Sequence, residues 1–430
     1  MGNESALKKN LFRLIVLTIA AAAIYGLPYF RYTFWDTFLT VFSLNDNQMA
    51  NLQSVYGIFA LIAYIPGGWL ADRLSVKKLI LFSLYASAAV GIYLMTIPGY
   101  YGVLACHAIL GITSILTFWP AFIKTIRSLA NDSEQGKAFG IMEGTRGILN
   151  IVEATVALAI FGIFLKVSPL EAIEKVILYY VIVLVVLGVI IAFTIKDVKP
   201  DEVEHEDHTV TKITKEERRK IIIGELKRPS IWLISGIVFC SYFMNIAFYN
   251  FTPYAENVLK VGPVAAGVMV VLAQWVRPFA AVTSGVLGDK ISIARMVMIG
   301  FVLMIIGTAA VLILPVSAPV IVFMISIAII YIAMYSLQAN HFAMLEEGKI
   351  HKEATGTAVG IVSTLGYLPE VIASQVALWI LTRFGESNGG TLAGSYNYLF
   401  AFLIGVFVVG LILTIVWSKT NAKEKKLADN

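Results

Sequence analysis

Charge and cysteine are both scarce in this sequence. Only 14% of its 430 residues are Asp, Glu, Lys or Arg, against roughly a quarter in soluble domains. The two cysteines, Cys106 and Cys240, lie in apolar runs and lack metal-ligand spacing, so we expect neither a disulfide framework nor a zinc site. A Gly-x-x-x-x-Gly-Lys-Ser/Thr phosphate loop is also absent. The sequence therefore predicts no metal, no cofactor and no enzymatic activity.

Apolar residues are what the chain has in abundance. They make up 58% of it and collect into runs of about 20 residues, the length of helix that crosses the hydrocarbon layer of a bilayer. Lipid offers no partner to an unpaired backbone group, so a helical bundle is the expected structure. The alternating ten-residue segments of a membrane barrel do not occur. The composition thus predicts an all-α membrane protein with the lipid bilayer as its main partner.

The apolar runs predict twelve transmembrane helices in two sets of six. The first set covers 11–33, 47–71, 78–97, 101–128, 137–165 and 176–195. The second set covers 231–257, 264–287, 295–315, 318–346, 355–382 and 396–418. Residues 196–230 between them are too charged to enter lipid, and they predict a cytoplasmic linker with room for one amphipathic helix. The predicted domains are an N-terminal six-helix bundle (1–195), this linker (196–230) and a C-terminal six-helix bundle (231–430).

Basic residues set the orientation of the helices. With the N-terminus in the cytoplasm, the outer loops keep only Lys166, Lys175, Lys260 and Arg383, and the other loop and terminal cations lie inside. This bias predicts a multi-pass protein of the inner membrane with both termini in the cytoplasm. The formal charge of +5 is then an orientation signal, and we expect no nucleic-acid partner.

Two inner loops of the predicted bundles match each other. Gly67–Lys78 reads GGWLADRLSVKK and Ser284–Arg295 reads SGVLGDKISIAR. Aligned on Asp72 and Asp289, both follow the pattern Gly-x-Leu-small-Asp-basic-aliphatic-Ser-aliphatic. Parallel repeats of this kind are typical of transporters in which one half rocks against the other.

A second match follows the fourth and tenth helices. Gly136–Ile141 reads GKAFGI and Gly356–Ile361 reads GTAVGI, at nearly the same offset as the first pair. The two sets of helices are therefore predicted to form pseudo-symmetric six-helix bundles.

Residues 68–78 resemble the signature of the major facilitator superfamily, Gly-x-Leu-Ala-Asp-Arg-x-Gly-Arg-Lys, although Ser75 and Val76 depart from it. The resemblance extends over essentially the whole chain and implies the major facilitator fold. The matching residues are Gly68, Leu70, Ala71, Asp72, Arg73 and Lys77.

The signature residues suggest a loop gate. Gly68 lets helices approach closely, and Asp72 with Arg73 can latch the inner ends of the two halves in one conformational state. Gly285 and Asp289 are their equivalents in the second loop. The alternative is that these charges only end the helix and obey the positive-inside rule.

Ionisable residues within the spans are candidates for function because burying them in a membrane is costly. The fifth helix carries Glu143, Arg146 and Glu153 on one face. Glu143 and Arg146 can neutralise each other at i, i+3. Glu153 needs either a cation, for which Arg277 is the candidate, or a proton, in which case it would couple transport to the proton gradient. Glu370 on the eleventh helix is a further candidate for coupling or gating.

Arg31 ends a tyrosine-rich stretch on the first helix and resembles the phosphate-binding arginine of organophosphate antiporters of the superfamily. The seventh helix has no matching cation and offers Asn245 and Tyr249 instead. Alternatively, Arg31 reaches the outer surface. The predicted substrate-binding residues are Arg31, Lys124, Asn245, Tyr249, Arg277 and His341.

These cations favour a secondary transporter for a small polar, anionic organic solute, coupled to protons or to a counter-solute and acting as a monomer. Proton-driven efflux of lipophilic drugs is the alternative, although the fifth helix lacks the proline of such exporters. A membrane sensor that does not transport is the second alternative.

Overall fold

The computed structural model describes residues 5–195, 202–204, 210–212, 214–261, 263–315 and 317–428. Apart from two three-residue strands, the regular structure in these ranges is helical. The all-α prediction is confirmed, and its physical basis is the need of each backbone group for an internal partner in lipid.

The α-helices up to the linker are α1 (Ala6–Tyr29), α2 (Trp35–Phe42), α3 (Asp46–Ala71), α4 (Val76–Leu94), α5 (Tyr100–Ile112), α6 (Trp119–Ser128), α7 (Gln135–Phe164) and α8 (Pro169–Thr194). Those from the linker onward are α9 (Lys215–Lys227), α10 (Pro229–Asn257), α11 (Pro263–Ile291), α12 (Ile293–Ile313), α13 (Val320–Asn340), α14 (Ala343–Glu347), α15 (Thr355–Gly366), α16 (Pro369–Arg383) and α17 (Leu392–Ala428).

Ten helical segments of the described chain are long and apolar enough to cross a membrane. Each corresponds to a predicted span. The predicted spans 231–257 and 264–287 correspond to α10 and α11, which have 29 residues each, and part of their side chains lies outside the described residues. The count of twelve spans stays a prediction.

Two predicted helices are interrupted. The span predicted over 355–382 ends as α15 at Gly366 and begins again as α16 at Pro369, because proline has no N–H group to donate to the preceding turn. The span predicted over 318–346 divides into α13 and the short α14.

The chain forms two compact units, each built from separate stretches of sequence. Unit 1 contains Met1–Asn131, Ile148–Glu225 and His351–Gly360, and unit 2 contains Asp132–Gly147, Leu226–Ile350 and Ile361–Asn430. The start of α15 therefore belongs to unit 1 and the start of α7 to unit 2. The division into domains 1–195, 196–230 and 231–430 stays a prediction.

The linker contains regular structure of two kinds. Strands β1 (Glu202–Glu204) and β2 (Val210–Lys212) pair antiparallel. Helix α9 follows the two strands, in the linker that was predicted to be long enough for one amphipathic helix. The β-pair was not predicted.

Polar contacts fix helix packing inside unit 1. A π-helical turn over Thr113–Phe118 joins α5 to α6. The Thr113 hydroxyl lies 2.8 Å from that of Ser87, and the Thr117 hydroxyl lies 2.6 Å from that of Ser83, both on α4. Such hydroxyl pairs satisfy buried polar groups between membrane helices.

Candidate functional site

Asp72, at the end of α3, binds the first turn of α15. Its side chain is buried and accepts hydrogen bonds from Gly356 N (2.9 Å), Thr357 N (2.6 Å) and Thr357 Oγ1 (2.7 Å). These N–H groups have no partner within their own helix, and a carboxylate there also meets the positive end of the helix dipole. Lys124 Nζ lies 2.8 Å from Asp72 Oδ1. We call this set of bonds the Asp72 contact.

Two neighbours complete the Asp72 contact. A Cβ atom on Gly68 would lie 2.3 Å from the carbonyl oxygen of Gly356, so only glycine permits this approach of α3 to α15. The buried Arg127 donates a 2.6 Å hydrogen bond from Nη1 to Thr355 Oγ1. Arg73, expected to act with Asp72, is exposed, and its guanidinium carbon lies 4.1 Å from the centre of the Trp69 ring.

Asp289, at the end of α11, makes the equivalent contact in unit 2. Its carboxylate accepts hydrogen bonds from Gly136 N and Lys137 N, both 2.7 Å long, in the first turn of α7. A Cβ atom on Gly285 would lie 2.1 Å from the carbonyl oxygen of Gly136. In the described part of the chain no lysine or arginine forms an ion pair with Asp289. We call this set of bonds the Asp289 contact.

The sequence offset that relates Asp72 to Asp289 also relates Lys124 to His341. His341 is buried, and its Nε2 lies 2.8 Å from Ser241 Oγ. Lys124 and His341 were both predicted to bind substrate. In the structure Lys124 forms an ion pair with Asp72 and His341 lies beside Ser241. Lys124 and His341 therefore occupy equivalent positions of the repeat and have different partners.

Glu143 on α7 joins two arginines in unit 2. Arg146 Nη1 donates to Glu143 Oε1 at 2.6 Å, and Arg277 Nη2 donates to Glu143 Oε2 at 2.8 Å. The expected pair of Glu143 with Arg146 is therefore present. The suggested pair of Arg277 with Glu153 is not, because Arg277 is bound to Glu143. We call Glu143, Arg146 and Arg277 the arginine cluster.

Aromatic residues surround the arginine cluster. The Arg277 guanidinium lies 5.4 Å from the centre of the Tyr335 ring. The Tyr242 ring packs in a tilted arrangement against two others, with ring centres 4.3 Å from that of Tyr367 and 5.7 Å from that of His341. Glu143 is within electrostatic reach of these last three residues. The arrangement provides hydroxyl groups and ring faces beside two guanidinium groups.

The other two acidic candidates lie apart from this cluster. Glu153 is buried in the part of α7 that belongs to unit 1, and no other described residue forms a hydrogen bond or ion pair with its side chain. Glu370, in the first turn of α16, is exposed and lies within electrostatic reach of Tyr242 and Tyr367. Both remain candidates for proton coupling.

Arg31 is buried in unit 1, with 1% of its surface exposed. Its Nη2 donates to Gln53 Oε1 at 2.6 Å and to the Tyr32 hydroxyl at 3.3 Å, and its Nη1 donates to the Pro28 carbonyl oxygen. Within the described ranges no carboxylate forms an ion pair with it. The alternative in which Arg31 reaches the outer surface does not fit this burial.

The remaining candidates, Asn245 and Tyr249, belong to α10, and their side chains lie outside the described residues. Sequence reasoning missed Gln53 and Thr357. Thr357 sits in the repeated GTAVGI segment and could have been found there, whereas Gln53 is a single polar residue without a pattern. No group of three or more His, Cys, Asp or Glu residues in the described ranges could hold a metal ion.

The family model of the Major Facilitator Superfamily matches residues 11–374 of this chain. Inner membrane protein YihN of Escherichia coli (strain K12) is 28% identical over 429 residues, covering 97% of this chain and 98% of YihN. A probable nitrate transporter, NarT of Staphylococcus epidermidis, is 28% identical over 214 residues, covering 47% of this chain and 48% of NarT.

Among solved structures, the major facilitator transporter FucP in its outward conformation aligns with a TM-score of 0.73. The alignment covers 93% of this chain and 97% of FucP at 14% sequence identity. At that identity the likeness establishes the fold and nothing about the solute.

Proposed function

Since the chain belongs to the Major Facilitator Superfamily, we propose that it moves a small organic anion across the inner membrane by alternating access, coupled to protons or to a counter-solute. Secondary transport follows from the family, and the inner membrane is where its E. coli relative resides. The more specific part of the proposal is that the solute is an anion, and the burial of Arg31 supports it.

A buried arginine in a membrane span normally pairs with an acidic side chain or with backbone carbonyl oxygens, and its charge is compensated only where an anion is near. Arg31 is held instead by neutral groups, the Gln53 amide, the Tyr32 hydroxyl and the Pro28 carbonyl oxygen. The Tyr32 ring lies 4.5 Å from its guanidinium carbon. The missing negative charge is what we propose the solute supplies, because a guanidinium binds carboxylate and phosphate in a forked geometry.

The relationship to NarT is compatible with an anionic solute. NarT is called a probable nitrate transporter, and it aligns with about half of this chain. Nitrate is an anion, so a cationic binding site is compatible with that relationship. The alignment is too short to carry the solute itself to this protein.

The Asp72 contact and the Asp289 contact are proposed to act as gates. Each joins segments far apart in the sequence through a carboxylate on a helix N-terminus. During alternating access such bonds would break and form again, and their strength would set the rate of the conformational change. The orientation with both termini in the cytoplasm belongs to the same proposal.

The test uses thermal stabilisation of the purified protein by lactate, gluconate, glucose 6-phosphate and nitrate, with glucose and tetraphenylphosphonium as neutral and cationic comparisons. We expect at least one anion to raise the melting temperature and glucose to have no effect. Arg31→Gln should weaken anion binding by about 10- to 100-fold, the loss of one charge-assisted contact. Arg383→Gln, at the exposed end of α16, is the matched control. Stabilisation by tetraphenylphosphonium alone would favour drug efflux instead.

A further inference from the structure

The arginine cluster holds one carboxylate in a geometry that a second carboxylate could adopt. Each oxygen of Glu143 accepts from a different guanidinium group, at 2.6 Å from Arg146 and 2.8 Å from Arg277. Arg146 lies one turn along the same helix, while Arg277 comes from α11. The carboxylate therefore bridges two helices of unit 2, and its removal would open a site with the dimensions of a carboxylate.

We infer that a substrate carboxylate takes the place of the Glu143 carboxylate between Arg146 and Arg277, while Glu143 takes up one proton from the solution. The inference rests on the proposed transport of an organic anion. It treats the arginine cluster as a second anion site, occupied at a different step of the transport cycle from Arg31, and it adds the solute class, the coupling ion and the residue that carries the proton.

Charge balance leads to a ratio of one proton to one anion. A monocarboxylate brings one negative charge into the cluster, and the proton on Glu143 removes one, so the total charge of the buried site does not change. A carboxylate displaced from both guanidinium groups inside the protein is more stable as the neutral acid. Anion binding and proton binding thus favour each other, as linkage requires.

The same balance distinguishes a monocarboxylate from a phosphate ester. With one proton on Glu143, a dianion would change the charge of the cluster from +1 to zero, whereas a monocarboxylate leaves it unchanged. The aromatic surroundings also favour a solute that carries hydroxyl groups, because Tyr242 and Tyr367 present ring faces and hydroxyl groups to it. The solute class that fits is a small hydroxylated monocarboxylate.

Other ionisable groups close to Glu143 must be considered as proton carriers. His341 is engaged with Ser241, and the rings of Tyr242 and Tyr367 pack against each other at an angle. Glu370 lies near the same tyrosines and is exposed. The groups that face Glu143 or its tyrosine neighbours are Arg146, Arg277, Tyr242, His341, Tyr367 and Glu370.

The first experiment needs no variant. Gluconate or lactate is added to the purified wild-type protein in weakly buffered detergent solution, and the pH change and heat of binding are recorded together. We expect uptake of one proton for each anion bound. The dissociation constant should rise by about tenfold for each unit of pH, the slope of a one-proton linkage.

The variant Glu143→Gln should bind the monocarboxylate with no proton uptake and no pH slope, at least as tightly as the wild type at low pH. Glu171→Gln, an acid-to-amide change in the first turn of α8, is the matched control and should keep the slope. Glu153→Gln and Glu370→Gln should also keep it.

Several results would overturn the inference. Monocarboxylate binding without proton uptake, a pH slope that persists in Glu143→Gln, or one that disappears in Glu153→Gln or Glu370→Gln would each move the proton elsewhere. Stabilisation by glucose 6-phosphate or nitrate but by neither monocarboxylate would refute the solute class alone. If no anion in the panel binds, the proposed function itself fails, so the two failures are distinguishable.

Discussion

The Asp72 contact and the Asp289 contact use the same backbone geometry with different amounts of charge. In both, a carboxylate accepts hydrogen bonds from two N–H groups in the first turn of a helix. Only Asp72 also binds a hydroxyl group and the Lys124 ammonium. The repeat therefore preserves the carboxylate and the helix N-terminus, while among the described residues the direct ion pair with a lysine occurs in unit 1 and has no equivalent at Asp289.

A repeated sequence motif therefore does not guarantee that the two contacts are equally strong. The backbone part depends on the glycines and the helix dipole, which both repeats have. The ionic part depends on the residue at the position of Lys124, where the other repeat has His341. We therefore expect the two contacts to respond equally to changes in the backbone part and unequally to loss of charge.

The largest effect is expected from Asp72→Asn. The change leaves Lys124 without its carboxylate in a largely buried setting, which costs about 3 kcal/mol, roughly a hundredfold in an equilibrium. Exchange of the anion identified by thermal shift should slow by a similar factor in proteoliposomes, while its affinity stays within about twofold because Asp72 is a gate and not a ligand. Asp36→Asn, exposed in the first turn of α2, is the control. A loss of affinity with unchanged exchange would contradict the gate.

The glycine changes Gly68→Ala and Gly285→Ala should have the next largest effect, and the two should be similar. The added Cβ atoms would lie 2.3 Å and 2.1 Å from carbonyl oxygens, so the helices must separate at a cost of about 1–3 kcal/mol. Thermal unfolding and anion exchange measure the change. Gly57→Ala meets no atom within 4 Å and should leave both unchanged. A large difference between the two variants would show that the backbone parts are not equivalent.

Asp289→Asn should have a smaller effect than Asp72→Asn. It weakens two charge-assisted hydrogen bonds and breaks no ion pair, so we expect a cost of about 1–2 kcal/mol. Exchange rates of Asp72→Asn, Asp289→Asn and the double variant in the same liposomes provide the comparison. If Asp289→Asn slowed exchange as much as Asp72→Asn, the ionic part of the Asp72 contact would be unimportant.

The repeated loops could be predicted from sequence, and the lysine partner of Asp72 could not. Gly68, Asp72, Gly285 and Asp289 were recognised because the same local pattern occurs twice. The role of Lys124 depends on the packing of α6 against α3, and periodicity alone does not give the depth or direction of that side chain.

The contacts of the arginine cluster could also be predicted only in part from the sequence. Glu143 and Arg146 are three residues apart on one helix, so their pairing followed from helical geometry. Arg277 comes from a distant helix, and the spacing on α7 could not decide between Glu143 and Glu153 as its partner. Helix positions were predictable to within a few residues for most spans because lipid fixes their length. Contacts between helices depend on tertiary packing.

The smallest effect is expected from Thr357→Val, which makes the Asp72 contact more like the Asp289 contact. Thr357 donates to Asp72 through both its backbone N–H and its hydroxyl, whereas Lys137 at the equivalent position of the GKAFGI segment donates through its backbone N–H. Valine keeps the shape and the backbone bond and removes the hydroxyl bond, at a cost of about 1 kcal/mol, roughly fivefold in exchange rate. Thr357→Ser keeps a hydroxyl and is the control. In the Asp72→Asn background the valine change should cost less, because the acceptor is no longer charged. An equal cost in both backgrounds would mean that the threonine acts through packing on α15 and not through the Asp72 contact.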